Sequence, residues 1–264
     1  MPTLSYETSG AVARVTLTRP EVHNAFDDAL IAELTRAFDR AAMDGQVETV
    51  ILAAEGRSFS AGADLNWMRR MAGYGEAENL ADARALGRLL QTIDSCPKTT
   101  IARVQGAAFG GGVGLVAACD IAVASPRASF CLSEVKLGIV PAVISPFVVR
   151  AIGARAARRF FQTAERFDAA TALRLGLLSE VAEDETELDA EIDRLLAALG
   201  EGGPVAKRAA KDLAFLAETG TPDTVLDETC HRIAAIRVSA EGQEGLGAFL
   251  DKRSPAWRAG KERG

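Results

Sequence analysis

Three short segments combine small residues with a group that could do chemistry. The first, residues 58–65 (SFSAGADL), follows a short apolar run, and its Ala and Gly residues let a ligand come close to the backbone. A turn into a helix at Asp64 would leave N–H groups pointing outward, and Asp64 reads either as that helix's N-cap or as a ligand contact. The second, residues 106–115 (GAAFGGGVGL), places the triplet Gly110, Gly111, Gly112 at the opening of an apolar helix. A helix N-terminus carries orphan N–H donors and partial positive charge, and glycine lets an anionic or carbonyl oxygen reach them. No Gly-Lys-Ser/Thr follows and no ribose-binding acid is identifiable on a second strand, so an oxyanion site fits better than a phosphate cradle. The third, residues 133–141 (SEVKLGIVP), sets Glu134 among apolar residues at a strand end. Burial would raise its pKa and suit it to proton transfer; a surface carboxylate paired with Lys136 is the plainer alternative.

The flanking pattern indicates what must position these segments. Residues 11–17 alternate apolar and polar as a half-buried strand does, and 50–52, 100–104, 121–124 and 129–132 read as short buried strands. Helical patterns run over 27–44, with Leu30, Ile31, Leu34, Ala37, Phe38 and Ala41 on one stripe, and over 76–94. The later chain reads as helices at 145–152, 154–163, 168–175 and 185–199, with three more after Pro204. An α/β catalytic core over 1–200 and a helical region over 201–264 are expected, parted at the Gly- and Pro-punctuated stretch 200–204, which also reads as a plain helix-helix turn.

Composition removes other classes. With 30 Lys+Arg against 36 Asp+Glu in 264 residues, the net charge of −6 lacks the basic excess that a nucleic-acid partner calls for. Four cysteines with no CxxC and two distant histidines suggest neither a disulfide framework nor a metal site. The start of the chain lacks a basic segment followed by an apolar block, and the weakly polar stretch 104–124 is broken by glycines and Asp120, so no membrane span and a cytoplasmic location are expected.

Taken in order, the three segments resemble the crotonase, or enoyl-CoA hydratase/isomerase, superfamily, over about residues 4–258. The resemblance rests on SAGADL at 60–65, on GGG at 110–112 with AACDI at 117–121 behind it, and on Glu134 followed by GIVP at 138–141. It implies a spiral of ββα repeats with a C-terminal helical region for trimerisation, as a homo-trimer or a dimer of trimers. It also implies an acyl-coenzyme A substrate and no further cofactor. By the same resemblance, Ala63 and Gly111 supply the two N–H donors of an oxyanion hole, and Glu134 is the catalytic acid/base. The segment 19–25 (RPEVHNA) matches the loop that approaches CoA, with Val22 touching it; Asp64 and Leu65 complete the adenine pocket, and Ala61, Gly112 and Pro141 line the substrate.

One position departs from the family's hydratases. These commonly carry a second glutamate where this chain has Gly114, so water activation and proton delivery must share Glu134, or another group must help hold the water, or the single carboxylate acts as in the family's double-bond isomerases. A second departure, the run 141–153 (PAVISPFVVRAIG), resembles bacterial 3-methylglutaconyl-CoA and isohexenylglutaconyl-CoA hydratases, as do 113–119 (VGLVAAC) and 163–168 (TAERFD). The expected reaction is reversible syn hydration of 3-methylglutaconyl-CoA, as in leucine degradation. A distal substrate carboxylate would want a cation, for which Arg69, Arg70, Lys136 and Arg150 are candidates. The alternatives are an isomerase and a non-catalytic CoA- or RNA-binding member.

Overall fold

The computed structural model describes residues 3–259. Two antiparallel strands, β1 (Leu4–Ser9) and β2 (Val12–Leu17), open the chain. Asp27 then starts helix α1 (Asp28–Met43) by accepting the Leu30 N–H at 2.9 Å, satisfying one of the donors that a helix end leaves orphaned. The six apolar residues of the sequence stripe are the ones α1 buries. Removing that cap by Asp27→Ala is expected to cost about 1 kcal/mol, read as a lower urea midpoint with an unchanged m-value.

From here the chain repeats one pattern. Strand β3 (Thr49–Ala54) leads to β4 (Ser58–Ser60) and helices α2 (Leu65–Met71) and α3 (Glu76–Asp94). Strand β5 (Thr99–Val104) leads to β6 (Ala107–Phe109) and α4 (Gly111–Ala118). Strand β7 (Ile121–Ala124) leads to β8 (Ser129–Cys131), a 3-10 turn at Glu134–Leu137 and helix α5 (Ser145–Thr163). Short strands β9 (Phe167–Asp168) and β10 (Glu180–Val181) flank α6 (Ala169–Leu175), and α7 (Glu187–Glu201) follows. The first strand of each repeat joins a six-stranded sheet ordered β1-β2-β3-β5-β7-β10, and the second joins a four-stranded sheet ordered β4-β6-β8-β9. Because β2, β3, β5, β7 and β10 pair in parallel, each return needs a crossover, and the second strand and helix of every repeat provide it. This is the spiral of ββα units that the resemblance implies.

Helix α4 is apolar on all sides and buries every residue from Gly112 to Ala118, as a helix in the middle of a core does. Helix α5 breaks at Gly153, whose φ of 75° divides it at the point where the sequence pattern separates two helices.

The chain divides into two compact units, Met1–Ile192 and Asp193–Gly264; the parting falls inside α7, ahead of the punctuated stretch 200–204. The second unit contains α8 (Pro204–Thr219), α9 (Pro222–Val238), α10 (Ala240–Leu250) and a short α11 (Ala256–Ala259), one helix more than the sequence pattern indicates. Helices α8 and α9 bury no residue fully, and Val205, Leu226, Ile233, Val238 and Phe249 are exposed. No helix among the described residues is long and apolar enough to cross a membrane, and none of the four cysteines forms a disulfide among the described residues.

Candidate active site

The smaller sheet brings the three segments together. Strands β4, β6 and β8 are parallel neighbours, with Ser60 opposite Ala108 and Phe109 opposite Cys131. Their carboxyl ends therefore lie side by side, and each runs directly into one segment: β4 into 61–65, β6 into 110–112, β8 into 133–134. The Gly110 N–H donates to the Cys131 carbonyl at 2.8 Å, which ties the second end to the third.

Two N–H groups at this junction have no acceptor among the described residues. Ala63 forms a parallel bridge with Phe26, in which Phe26 N–H donates to Gly62 O at 2.8 Å and Asp64 N–H donates to Phe26 O at 2.9 Å. Such a bridge uses the carbonyl before Ala63 and the N–H after it, so Ala63's own N–H points away from Phe26. Gly111 begins α4, where no earlier turn exists to accept its N–H. The two segments are in contact: a Cβ on Gly62 would lie 3.5 Å from Gly111 N and 2.8 Å from Phe109 O. Gly62 itself has φ 86°, which a side chain would strain.

The carboxyl of Glu134 faces the same turn. Its Oε1 lies 3.3 Å from where a Gly110 Cβ would stand, and its Oε2 is buried with no hydrogen-bond partner among the described residues. Burial pushes its pKa above the ordinary glutamate value, against a smaller lowering by its own backbone N–H. Lys136 is exposed and gives the buried Oε2 no hydrogen bond.

Position 114 is closed. A Cβ on Gly114 would lie 2.4 Å from Ile144 Cγ2 and 3.0 Å from Ile144 Cβ, with Leu90 Cδ1 at 3.6 Å behind. A carboxylate there would require Ile144 to leave.

The remaining candidates fall into two groups. Asp64 is 5% exposed and is the N-cap of α2: it accepts the Asn66 N–H at 2.8 Å and the Trp67 N–H at 3.3 Å, and pairs with Arg19 at 2.9 Å. Burial alone would raise its carboxyl, but these hydrogen bonds outweigh it and hold the group below the ordinary aspartate value. The plainer reading of Asp64 is therefore the one its contacts display. Gly112 and Pro141 are buried, whereas Val22, Ala61 and Leu65 are exposed. Of the candidate cations, Arg70 pairs with Asp28 and Arg150 with Asp94, and Arg69 donates to Asn66 Oδ1 at 2.7 Å. Lys136 is exposed on the turn that carries Glu134.

Two positioning residues escape a reading by residue type. The buried ring of Phe26 fills the space a Gly111 Cβ would take, at 2.3 Å from that point, while its backbone holds the strand around Ala63. One residue thus braces both N–H groups. Asn24, fully buried at φ 52°, donates to Glu55 O at 2.8 Å and Ser58 O at 2.9 Å and accepts the Arg19 N–H at 2.9 Å. Asn24→Ala would strand these backbone groups and is expected to cost about 2 kcal/mol by chemical denaturation.

A strand-edge N–H and a helix N-terminus converging beside one enclosed carboxyl define a site for a reaction that places charge on a carbonyl oxygen while moving a proton. The comparisons agree with that class. The enoyl-CoA hydratase/isomerase family model matches residues 7–260. The chain is 49% identical to an enoyl-CoA hydratase from Shewanella pealeana whose crystal structure superposes with TM-score 0.93, covering 97% of this chain and 96% of that one. It is 37% identical over 242 residues to the enoyl-CoA hydratase AKT6-1 of Alternaria alternata, covering 89% of this chain and 77% of that protein. It is also 31% identical over 248 residues to the 2,3-dehydroadipyl-CoA hydratase of Escherichia coli, covering 94% and 95%. This chain belongs to the enoyl-CoA hydratase/isomerase family.

Proposed function

We propose that this protein adds water reversibly, with syn geometry, across the double bond of an α,β-unsaturated acyl-CoA, and that its substrate is 3-methylglutaconyl-CoA. The observation that carries the reading is the lone enclosed Glu134 carboxyl beside the two N–H ends. The Ala63 and Gly111 N–H groups hold the thioester oxygen, and their grip strengthens as the enolate forms, so they act on the transition state more than on the ground state. Glu134 delivers the proton to the α-carbon, and the burial that raises its pKa favours the protonated form this step uses. The acyl-CoA is the substrate and no other cofactor takes part.

Val22, Ala61, Asp64, Leu65, Gly112 and Pro141 contact the CoA thioester in this reading, Asp64 indirectly through the α2 terminus it caps. A carboxylated acyl group is supported by the name of the E. coli relative, which acts on 2,3-dehydroadipyl-CoA, and by Lys136 exposed on the Glu134 turn as its cation. The exposed apolar residues of α8–α10 support assembly as a trimer or a dimer of trimers, which sedimentation at micromolar concentration tests. Four cysteines outside any disulfide support a reducing compartment, the cytoplasm.

A second reading, double-bond isomerisation, is favoured by one observation: Ile144 closes position 114, and moving a double bond needs no water. Incubation of 3-methylglutaconyl-CoA in oxygen-18 water separates the two. Heavy oxygen in a 3-hydroxyacyl product supports hydration; a shifted double bond without it supports isomerisation.

A further inference from the structure

Gly110, the N-cap of α4, and Gly114 in its first turn lie one turn apart, with the Gly114 N–H donating to the Gly110 carbonyl at 3.4 Å. The Glu134 carboxyl packs against the first and Ile144 against the second. The slot one turn from the acid is therefore hydrocarbon, formed by Ile144 with Leu90 behind it. Asp64, the buried acid on the neighbouring segment, is occupied by Asn66, Trp67 and Arg19. The Glu134 Oε2 has no hydrogen-bond partner among the described residues. Water attacking the β-carbon still has to lose a proton as its oxygen bonds to carbon.

We propose that Ile144, by filling the slot at Gly114, restricts hydration to acyl groups that carry their own carboxylate two bonds beyond the hydrated carbon, and that this substrate carboxylate takes the proton from water. The inference rests on the hydratase reading above and deepens it. In 3-methylglutaconyl-CoA the C5 carboxylate oxygen, the water and C3 close a six-membered arrangement, so the base is held near the reacting atom by covalent connection. One O–H bond of water breaks and its proton goes to the C5 carboxylate. The water oxygen bonds to C3, and the C2–C3 π pair moves through C2 and C1 onto the thioester oxygen, held by the Ala63 and Gly111 N–H groups. The enolate then collapses and C2 takes the Glu134 proton. The proton on C5 returns to Glu134 through solvent, leaving a net gain of H at C2 and OH at C3. Ile144 acts on specificity and touches no proton; its contribution is to leave the base to the substrate.

The test compares 3-methylglutaconyl-CoA with its C5 carboxamide, a neutral analogue of nearly the same shape, on the unaltered enzyme. The expected result is a kcat lower by about 100-fold or more on the carboxamide, partly restored by added formate as an external base. An equal kcat on both, or a loss confined to KM, overturns the inference while leaving the hydratase reading intact. Isomerisation without hydration of 3-methylglutaconyl-CoA removes that reading and the inference with it. The paired change Gly114→Glu with Ile144→Ala supplies a protein carboxylate in the vacated slot and is expected to raise kcat on the carboxamide above that of the unaltered enzyme; a folded double variant with no gain counts against Ile144 as the determinant.

Discussion

Glu134→Gln is expected to lower kcat by about 10²- to 10⁴-fold while leaving acyl-CoA affinity close to that of the unaltered enzyme. Glutamine keeps the shape of the side chain against Gly110 but holds no transferable proton, so the loss belongs to the chemical step. Calorimetric titration with a saturated acyl-CoA alongside initial rates separates the two quantities; retained turnover would remove Glu134 from the mechanism. The raised pKa fixes the sign of the pH dependence. Hydration uses the protonated form, so its kcat falls as pH rises through a value above the ordinary glutamate range. Dehydration uses the anion and rises over the same interval. The same shift acts on stability. A carboxyl whose folded pKa exceeds its unfolded value stabilises the fold below the unfolded pKa and loses that contribution as pH rises through the folded one. The Oε2 atom has no hydrogen-bond partner among the described residues, so its ionisation in the fold is a cost that Gln does not carry. The variant should therefore be inactive yet at least as resistant to heat at neutral pH, the trade-off expected of a group held in place for chemistry.

How much of this was legible in the sequence depended on the length of the signal. Helix α1 was readable end to end because sixteen residues repeat one stripe and Asp27 caps it. The α5 break was readable because Gly153 is the residue that tolerates a positive φ. Of the second sheet only β8 was, as the short buried run 129–132. Its strands β4, β6, β8 and β9 span only three, three, three and two residues, too short for any alternation to register. Yet their parallel pairing is what sets the three segments side by side. The segments themselves stood out through small residues and one misplaced acid, features that survive in one dimension. Phe26 did not stand out, because a phenylalanine in a loop reads as ordinary core, and its role follows only from the missing Cβ of Gly111. Gly114 was legible as a departure, but its partner Ile144 lies thirty positions away and the contact between them exists only in the fold.

Gly112→Ala is expected to lower kcat/KM by about 10²-fold although no side chain is lost from the site. The added Cβ would stand 2.6 Å from Ser60 O and 3.0 Å from Ser60 Cβ, well inside contact distance, so one of the two segments has to give way. Helix α4 is buried along its length and has no free direction. The β4 end is pinned from its other side, where Ser60 Oγ donates to Asn24 O at 2.9 Å and Ala61 N–H to His23 O at 2.9 Å. The strain, about 1–3 kcal/mol of stability, therefore goes into spreading residues 60–63 away from the helix start. That movement separates the Ala63 N–H from the Gly111 N–H. Two donors aimed at one oxygen lose strength steeply when their spacing changes, and because they bind the enolate more tightly than the thioester, the loss falls on catalysis first. An enolate-like inhibitor should lose more affinity than free CoA does. Gly45→Ala, at a position with nothing within 4 Å of the new Cβ, provides the control for adding a methyl group. Full activity in folded Gly112→Ala protein would mean that Ala63 and Gly111 do not act on the same oxygen, and the oxyanion assignment would fall with it.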